Sequence, residues 1–155
     1  MVAQLSETDK AWLAGFIDGE GYIGIVRIKK KVTRQSSDTW RYYPWVIVTN
    51  TDTKVLADIQ LAVSTEKQAS LSRTEGHKPA FQVKISKFDD VAQFLEAVLP
   101  YLRLKQKQAQ LLIDFCKHRK SAKIITGRGH RGMTSFGEIE EKIYLKLREL
   151  NKRGA

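Results

Sequence analysis

A helix that carries glycines on one face and is followed at once by a strand constrains this chain more than any other feature of its sequence. Ser6 and Asp9 match a capping box ahead of an apolar stretch, which predicts a helix to about Asp18, ended by the glycines that follow. Gly15 and Gly19 are four residues apart and therefore share a helix face. Small residues allow a second helix to approach closely. Because the chain has no internal repeat, we expect that second helix to come from another copy of the chain.

The remainder of the sequence predicts two hairpins joined by a helix, followed by more helices. The predicted strands are Tyr22–Val32, Trp40–Asn50, Gln68–Arg73 and Ala80–Ile85, and the later helices are Thr53–Val63, Phe88–Leu99, Leu104–His118 and Glu138–Asn151. This order indicates an α+β fold with a four-stranded antiparallel sheet backed by helices. We expect residues 1–155 to form one domain, with a core over about 6–120 and a basic loop and helix over 121–152.

The charge balance indicates a polyanionic partner. The chain has 27 Lys and Arg against 17 Asp and Glu, a net charge of +10, and a folded domain this basic usually binds nucleic acid. Cys116 is the only cysteine, so no internal disulfide is expected. The sequence shows neither a signal-peptide pattern nor an apolar stretch of membrane-spanning length. We therefore expect a protein that is not secreted and contacts no membrane, in a prokaryotic cytoplasm or nucleoid or in an organelle matrix.

One segment resembles the motif that names the LAGLIDADG homing endonucleases. It reads Leu13-Ala14-Gly15-Phe16-Ile17-Asp18-Gly19-Glu20-Gly21. The resemblance implies the LAGLIDADG fold and, with one motif per chain, a homodimer that cuts both strands of a long, near-palindromic double-stranded DNA site and leaves 3′ overhangs. The implied dimer interface consists of Leu13, Ala14, Gly15, Ile17, Asp18 and Gly19.

Glu20 is the candidate metal ligand. A carboxylate at the C-terminal end of a helix is unfavourable because that end of the helix dipole is also negative, and a divalent cation would offset this. Mg²⁺ prefers one or two carboxylates together with water and phosphate oxygens. The resemblance implies Mg²⁺, with Mn²⁺ or Ca²⁺ able to substitute in binding, held by Glu20 and the backbone carbonyl of Gly19. In a dimer the two copies of Glu20 would meet near the two-fold axis.

Three further positions are candidates for catalysis. The segment 100–108 resembles the part of the family that carries a catalytic lysine, matched here by Lys105, which would organise water or steady charge on the phosphate. An exposed lysine at a helix start is the alternative interpretation. Asn50 matches a polar position that holds the attacking water, and Lys54 matches a further basic position.

Alternation along the strands predicts a polar sheet face, because Val26 and Ile28 alternate with basic residues. A two-stranded ribbon fits the DNA major groove, where Arg and Lys suit guanine and Gln suits adenine. The predicted DNA-binding residues are Arg27, Lys29, Lys31, Arg34, Arg41, Tyr43, Gln68, Ser70, Ser72, Gln82 and Lys84.

Two other functions compete with the nuclease. One is a binding protein on the same fold that has lost cleavage, either a splicing cofactor for intron RNA or a repressor. The other is a generic ribosomal-type RNA binder, which leaves the motif unexplained. The presence of Glu20 and Lys105 favours the enzyme.

Overall fold

The structure is a computed structural model that describes residues 5–29, 40–63, 69–71, 76, 78–121 and 137–152. Its elements in chain order are α1 (Glu7–Glu20), β1 (Gly21–Lys29), β2 (Trp40–Asn50), α2 (Thr53–Val63), β3 (Ala69–Leu71), β4 (Ala80–Ile85), α3 (Phe88–Val98), a 3-10 turn (Leu99–Tyr101), α4 (Gln106–Ser121) and α5 (Glu138–Leu150). The basic loop predicted after α4 lies outside the described residues.

The four strands form one antiparallel sheet in the order β1-β2-β4-β3. Alternate residues of β1, β2 and β4 face the helices, so Ile23, Ile25, Val46, Val48 and Val83 are buried against them. The predicted α+β fold with a four-stranded sheet is confirmed. Within the described residues no helix is long and apolar enough to cross a membrane.

Helix α1 begins where the capping box predicts. The Ser6 hydroxyl accepts a hydrogen bond from the Asp9 N–H (3.1 Å), and the Asp9 carboxylate accepts one from the Ser6 N–H (3.3 Å). The helix continues through Gly19 to Glu20, two residues beyond the predicted end. Gly21 closes it in an extended conformation, and a Cβ there would lie 2.7 Å from the carbonyl oxygen of Ile17. Only glycine therefore permits the turn from helix into strand.

Helix α5 completes the core over β1. Leu147 is fully buried, and the Asn151 side chain donates a hydrogen bond to the carbonyl oxygen of Ile23 (2.9 Å). Glu140 accepts hydrogen bonds from Arg119 (3.0 Å) and forms a second contact with His118 (3.1 Å), both on α4. The C-terminal helix is thus docked by apolar burial and by an ion pair that is itself almost fully buried.

Glu140 anchors α5, and its replacement should destabilise the fold. Burial alone would raise the pKa of Glu140, but hydrogen bonds from the Gly137 backbone, Arg119 and His118 lower it below its ordinary value of 4.5. Glu140→Gln leaves the buried guanidinium of Arg119 uncompensated, which should reduce the free energy of unfolding by about 3–5 kcal/mol near neutral pH. Denaturant titration measures this loss.

The pH dependence follows from the sign of the shift. A carboxyl with a lowered pKa stabilises the fold above its unfolded-state pKa, and the contribution disappears as pH falls through the lowered value. The difference between wild type and Glu140→Gln should therefore shrink in acid. Glu138→Gln, at an exposed position of the same helix turn, is the matched control. Equal losses for both variants would contradict the buried ion pair.

Candidate active site and nucleic-acid face

Glu20 lies exposed at the C-terminal end of α1, where the sequence places it. Helix α1 has acidic residues in its first turn but no basic residue in its last, so the negative end of its dipole is not neutralised from within the helix. The last carbonyl oxygens of any helix also lack partners within the helix. The end of α1 therefore combines an exposed carboxylate with backbone oxygens that need donors.

Lys105 supplies those donors. Its ammonium nitrogen donates hydrogen bonds to the carbonyl oxygens of Ile17 (2.7 Å), Asp18 (2.9 Å) and Gly21 (2.6 Å). A lysine ammonium has three donors, and all three are used. Burial lowers the pKa of Lys105, while the charges of Asp18 and Glu20 act in the opposite direction. The predicted contact of Lys105 with water or phosphate would require it to release one of these carbonyl oxygens.

Asp18 makes the reciprocal contact. Its carboxylate accepts hydrogen bonds from the backbone N–H groups of Arg103 (2.7 Å), Leu104 (3.2 Å) and Lys105 (3.0 Å). These groups immediately precede α4, which begins at Gln106 rather than at the predicted Leu104. Asp18 thus fixes the segment that presents Lys105. Its carboxylate is therefore held within the chain, and its assignment to the dimer interface stays a prediction.

Asn50 lies at the same end of the sheet as Glu20. Gly21, which follows Glu20, pairs with Val48, and Asn50 is two residues further along β2, about 7 Å by strand rise. Its side-chain oxygen accepts a hydrogen bond from the Asp52 N–H (2.9 Å) and thereby shapes the turn into α2. The register thus brings Asn50 towards the end of α1.

Lys54 belongs to a separate feature. It is exposed in the first turn of α2, and its N–H donates to the Asp52 side chain (2.9 Å). With Lys78 it lines an open cavity of about 580 Å³ on the α2 side of the site. The catalytic roles of Lys54 and Asn50 stay predictions.

The exposed face of α1 differs in part from the predicted interface. Gly15 and Gly19 are exposed, and a Cβ at either position would meet no atom within 4 Å. Leu13, Ala14 and Ile17 are at most 1% exposed and belong to the chain's own core. Their assignment to a dimer interface is therefore wrong.

Two aromatic residues occupy that exposed face instead. Trp12 is exposed and Phe16 partly exposed, and their ring centroids are 5.6 Å apart. The sequence interpretation missed both, although the i, i+4 spacing of Trp12, Phe16 and Glu20 indicates that they share a row on the helix.

The sheet face opposite the helices carries four of the predicted DNA-binding residues. The strand register places Arg41, Tyr43, Gln82 and Lys84 on this open face. The Lys84 ammonium lies 4.6 Å from the ring centroid of Trp45, in cation–π geometry. Four other predicted residues, Lys31, Arg34, Gln68 and Ser72, lie outside the described residues, and Ser70 is described only by its backbone pairing with Phe81.

The prediction for Arg27 and Lys29 is wrong, because both lie on the helix-facing side of β1. Arg27 pairs with buried Tyr42 and donates to the Glu141 carboxylate of α5 (2.7 Å). Its guanidinium also lies 4.4 Å from the ring centroid of Trp40 and 4.8 Å from that of Tyr144. Aromatic faces and a carboxylate thus bind Arg27 inside the fold.

The buried end of this cluster is Tyr42. Its hydroxyl donates a hydrogen bond to Glu141. Burial and then the Glu141 carboxylate raise the pKa of Tyr42 to about 12, so its phenol remains a donor at neutral pH.

The open face of β1 is apolar in consequence. It carries Tyr22, Gly24, Val26 and Ile28, opposite Ile47, Trp45, Tyr43 and Arg41 respectively. The sequence interpretation treated Val26 and Ile28 as the inward residues. The signal that identifies the true inward phase is the run Ile23, Ile25 directly after the buried end of α1.

Comparison with known proteins agrees with this geometry. The sequence model described as LAGLIDADG endonuclease matches residues 13–120, while no curated protein matches the sequence. The solved structure of the homing endonuclease I-CvuI, in complex with the I-CreI target in the presence of Mg, is similar at 21% identity and a TM-score of 0.59, covering 94% of this chain and 96% of that chain. The archaeal intron-encoded homing endonuclease I-Vdi141I, complexed with DNA, is similar at 15% identity and a TM-score of 0.67, covering 96% and 87%.

A third structure differs in length. I-SmaMI bound to uncleaved DNA target in the presence of calcium ions is similar at 16% identity and a TM-score of 0.62, covering 96% of this chain but 45% of that chain. These likenesses establish a shared fold. Together with the sequence match over more than half of the chain, they show that this protein belongs to the LAGLIDADG endonuclease family.

Proposed function

We propose that this protein is a site-specific endonuclease that acts as a homodimer and hydrolyses both strands of a long, near-palindromic DNA duplex, leaving 3′ overhangs. The observation that carries the proposal is the exposed Glu20 carboxylate at the end of α1, in the same helical row as Trp12 and Phe16. Together with Gly15 and Gly19 on the same exposed side of α1, these aromatic residues form a surface that would bring a second copy of Glu20 close to the first.

The donor set at the end of α1 suits a hard divalent cation. Glu20 offers a carboxylate and Gly19 a backbone carbonyl, whereas Lys105 binds the carbonyl oxygens of Ile17, Asp18 and Gly21. One carboxylate and one carbonyl per chain leave room for the water and phosphate oxygens that Mg²⁺ prefers, and Mn²⁺ or Ca²⁺ would substitute in binding. When bound, such a cation would lower the pKa of a coordinated water and polarise the phosphate. Glu20 and Gly19 would hold it.

The homodimer is supported by the length relations among the similar structures. This chain corresponds to nearly all of I-CvuI but to less than half of I-SmaMI. Two copies facing each other across Gly15 and Gly19 would supply the second helix. Close backbone approach at these glycines would place the ends of both α1 helices, and hence both carboxylates, near the symmetry axis.

DNA binding is supported by charge and by the open sheet face. A net charge of +10 favours a phosphate backbone, and Arg41 and Lys84 on the open face match the guanine edge in the major groove, as Gln82 matches adenine. The similar structures named above were solved with DNA targets. Phosphate contacts would position the duplex, and contacts to the bases would select its sequence.

Glu20→Gln tests the proposed chemistry. The amide keeps the size of the side chain but cannot ligate a cation as a carboxylate does, so cleavage of a target selected from a randomised duplex library with Mg²⁺ should fall by about a hundredfold or more. Binding to the same target should persist. Glu149→Gln, an equal charge change at an exposed position of α5, should cut at the wild-type rate. Undiminished cutting by Glu20→Gln would refute the assignment, and a wild type that binds without cutting would identify a binding protein instead.

Lys105→Met tests whether this lysine positions the site. We infer that Lys105 acts through the end of α1, because its donors are occupied by carbonyl oxygens. Methionine fills the space but removes these hydrogen bonds, which should lower the free energy of unfolding by about 2–3 kcal/mol and reduce Mg²⁺ affinity together with cutting. Lys107→Met, at an exposed position on the same helix, should change neither. Loss of cutting with unchanged stability and Mg²⁺ affinity would instead assign Lys105 a direct contact with the reacting phosphate.

Gly15→Leu tests the homodimer. The position is open within one chain, and leucine has a higher helix propensity than glycine, so the isolated fold should be at least as stable. The added side chain would separate the two α1 helices, and sedimentation should show a dimer dissociation constant raised by about tenfold or more, equivalent to about 1.4 kcal/mol. Gln110→Leu, on the exposed side of α4, should leave the dimer intact. A wild-type monomer that cuts both strands would exclude the two-fold arrangement.

A further inference from the structure

The part of the open face that belongs to β1 carries no charged side chain among the described residues. Tyr22 is 42% exposed, Ile28 is 48% exposed, and Val26 between them is partly exposed. Gly24 separates Tyr22 from Val26, and a Cβ there would lie 2.8 Å from a ring carbon of Tyr22. The glycine therefore lets the tyrosine ring lie along the strand, where its hydroxyl is hydrogen-bonded to Asn151. Val26 and Ile28 then form the exposed apolar part of β1.

The basic residues of β1 cannot turn towards the open face. Arg27 is held on the opposite side of the strand by Glu141, Trp40 and Tyr144. Lys29 has the same orientation and lies 5.9 Å from the ring centroid of Trp40. A rotation that brought either residue to the open face would bury Val26 or Ile28 in its place and break the contacts with α5. The contacts of Arg27 and Lys29 on the other side of β1 therefore keep an apolar strip, formed by Tyr22, Val26 and Ile28, on the open face.

The surroundings of the strip indicate an anionic partner. Ile28 is paired across the sheet with Arg41, and Lys84 lies on the same face two strands from β1. An apolar strip bordered by cations, on a chain of charge +10, complements a DNA major groove, whose walls are phosphate and whose floor includes methyl groups. The Tyr22 side chain hydrogen-bonds to Asn151 at the end of α5, whereas Val26 is partly exposed and Ile28 is exposed.

We propose that Val26 and Ile28 determine specificity by contacting the C5-methyl groups of thymines in the major groove, an inference that rests on the DNA-cleaving function proposed above. Thymine is the base that presents an apolar group in the major groove. Residues i and i+2 of a strand are roughly 6.7 Å apart, which is about two base-pair steps of 3.4 Å. We therefore expect each half-site to carry two thymines separated by about one base pair along the track of β1.

In this assignment, different β-strands of the sheet recognise the DNA bases by different interactions. The strip on β1 selects methyl groups by shape and desolvation, whereas Arg41, Gln82 and Lys84 on β2 and β4 select bases by hydrogen bonding. The base pairs below β1 should therefore respond to removal of a methyl group, and those below β2 and β4 should respond to loss of hydrogen-bond donors and acceptors.

The test isolates a single methyl group. Bound duplexes are selected from a randomised library with Ca²⁺, and each thymine of the enriched target is then replaced singly by deoxyuridine, which lacks only the methyl. At two positions per half-site, we expect affinity for the wild type to fall about fourfold, the contribution of one buried methyl-sized group. With Ile28→Ala the penalty at one of these positions should vanish, and with Val26→Ala it should vanish at the other.

Ile139→Ala is the matched control. Ile139 is an isoleucine of comparable exposure, 55%, on α5 behind the sheet, so its truncation should preserve both penalties. Deoxyuridine tolerated at every position, or penalties unchanged by both β1 variants, would overturn the inference while leaving DNA binding intact. A changed assembly state in Ile28→Ala with unaltered base preference would overturn it as well, by assigning the strip to protein contact. Failure to enrich any duplex would instead refute the DNA-binding function and the inference with it.

Discussion

The site depends on reciprocal hydrogen bonds between the end of α1 and the start of α4. Lys105 binds carbonyl oxygens at the end of α1, and Asp18 binds N–H groups ahead of α4. The end of α1 concentrates carbonyl oxygens and two carboxylates, all at the negative end of a helix dipole. Lys105 places one positive charge against this end and satisfies three carbonyl oxygens, while Asp18 turns one of the two carboxylates inward to hold the start of α4. Glu20 is thereby the carboxylate left facing outward. The same contacts hold the end of α1 and the start of α4 in a fixed relation.

A second set of contacts decides which side of β1 meets the outside. The family match ends at residue 120, yet α5 lies beyond it and contributes Leu147 to the core. Glu141 binds Arg27 and Tyr42 from this helix, and Asn151 reaches the backbone of β1. The orientation of β1, and with it the chemistry of the β1 part of the open face, therefore depends on a helix that the motif does not include.

The sequence alone predicted which helices and strands form, but it did not predict which face of β1 and of α1 is buried. The capping box at Ser6, the presence and order of the four strands and the helix over 53–63 follow from local patterns, and these predictions are confirmed. The predicted bounds of β1 and β3 differ from those described. Strand β1 has apolar residues in both phases, Ile23 and Ile25 in one and Val26 and Ile28 in the other, so alternation fits either orientation. The prediction chose the phase that exposed the basic residues, because the ionic and aromatic partners of Arg27 come from positions more than a hundred residues away or from the neighbouring strand.

The prediction of which side of α1 is exposed was partly wrong for a related reason. It is apolar on the side of Leu13 and Ile17, and it is apolar or small on the side of Trp12, Gly15 and Phe16, so composition does not say which side packs within the chain. A helix that needs only one partner has one apolar stripe. Helix α1 has two apolar stripes, and it ends in Glu20, an acid at the end where the helix dipole disfavours it. Local sequence preferences and the fold therefore disagree at this helix, and such disagreements concentrate at functional sites. In the proposed dimer, a second copy of the chain would exclude bulk from the exposed stripe that carries the glycines. Water and the nearby ammonium of Lys105 reduce the cost of the acid within one chain, and the proposed cation would reduce it further.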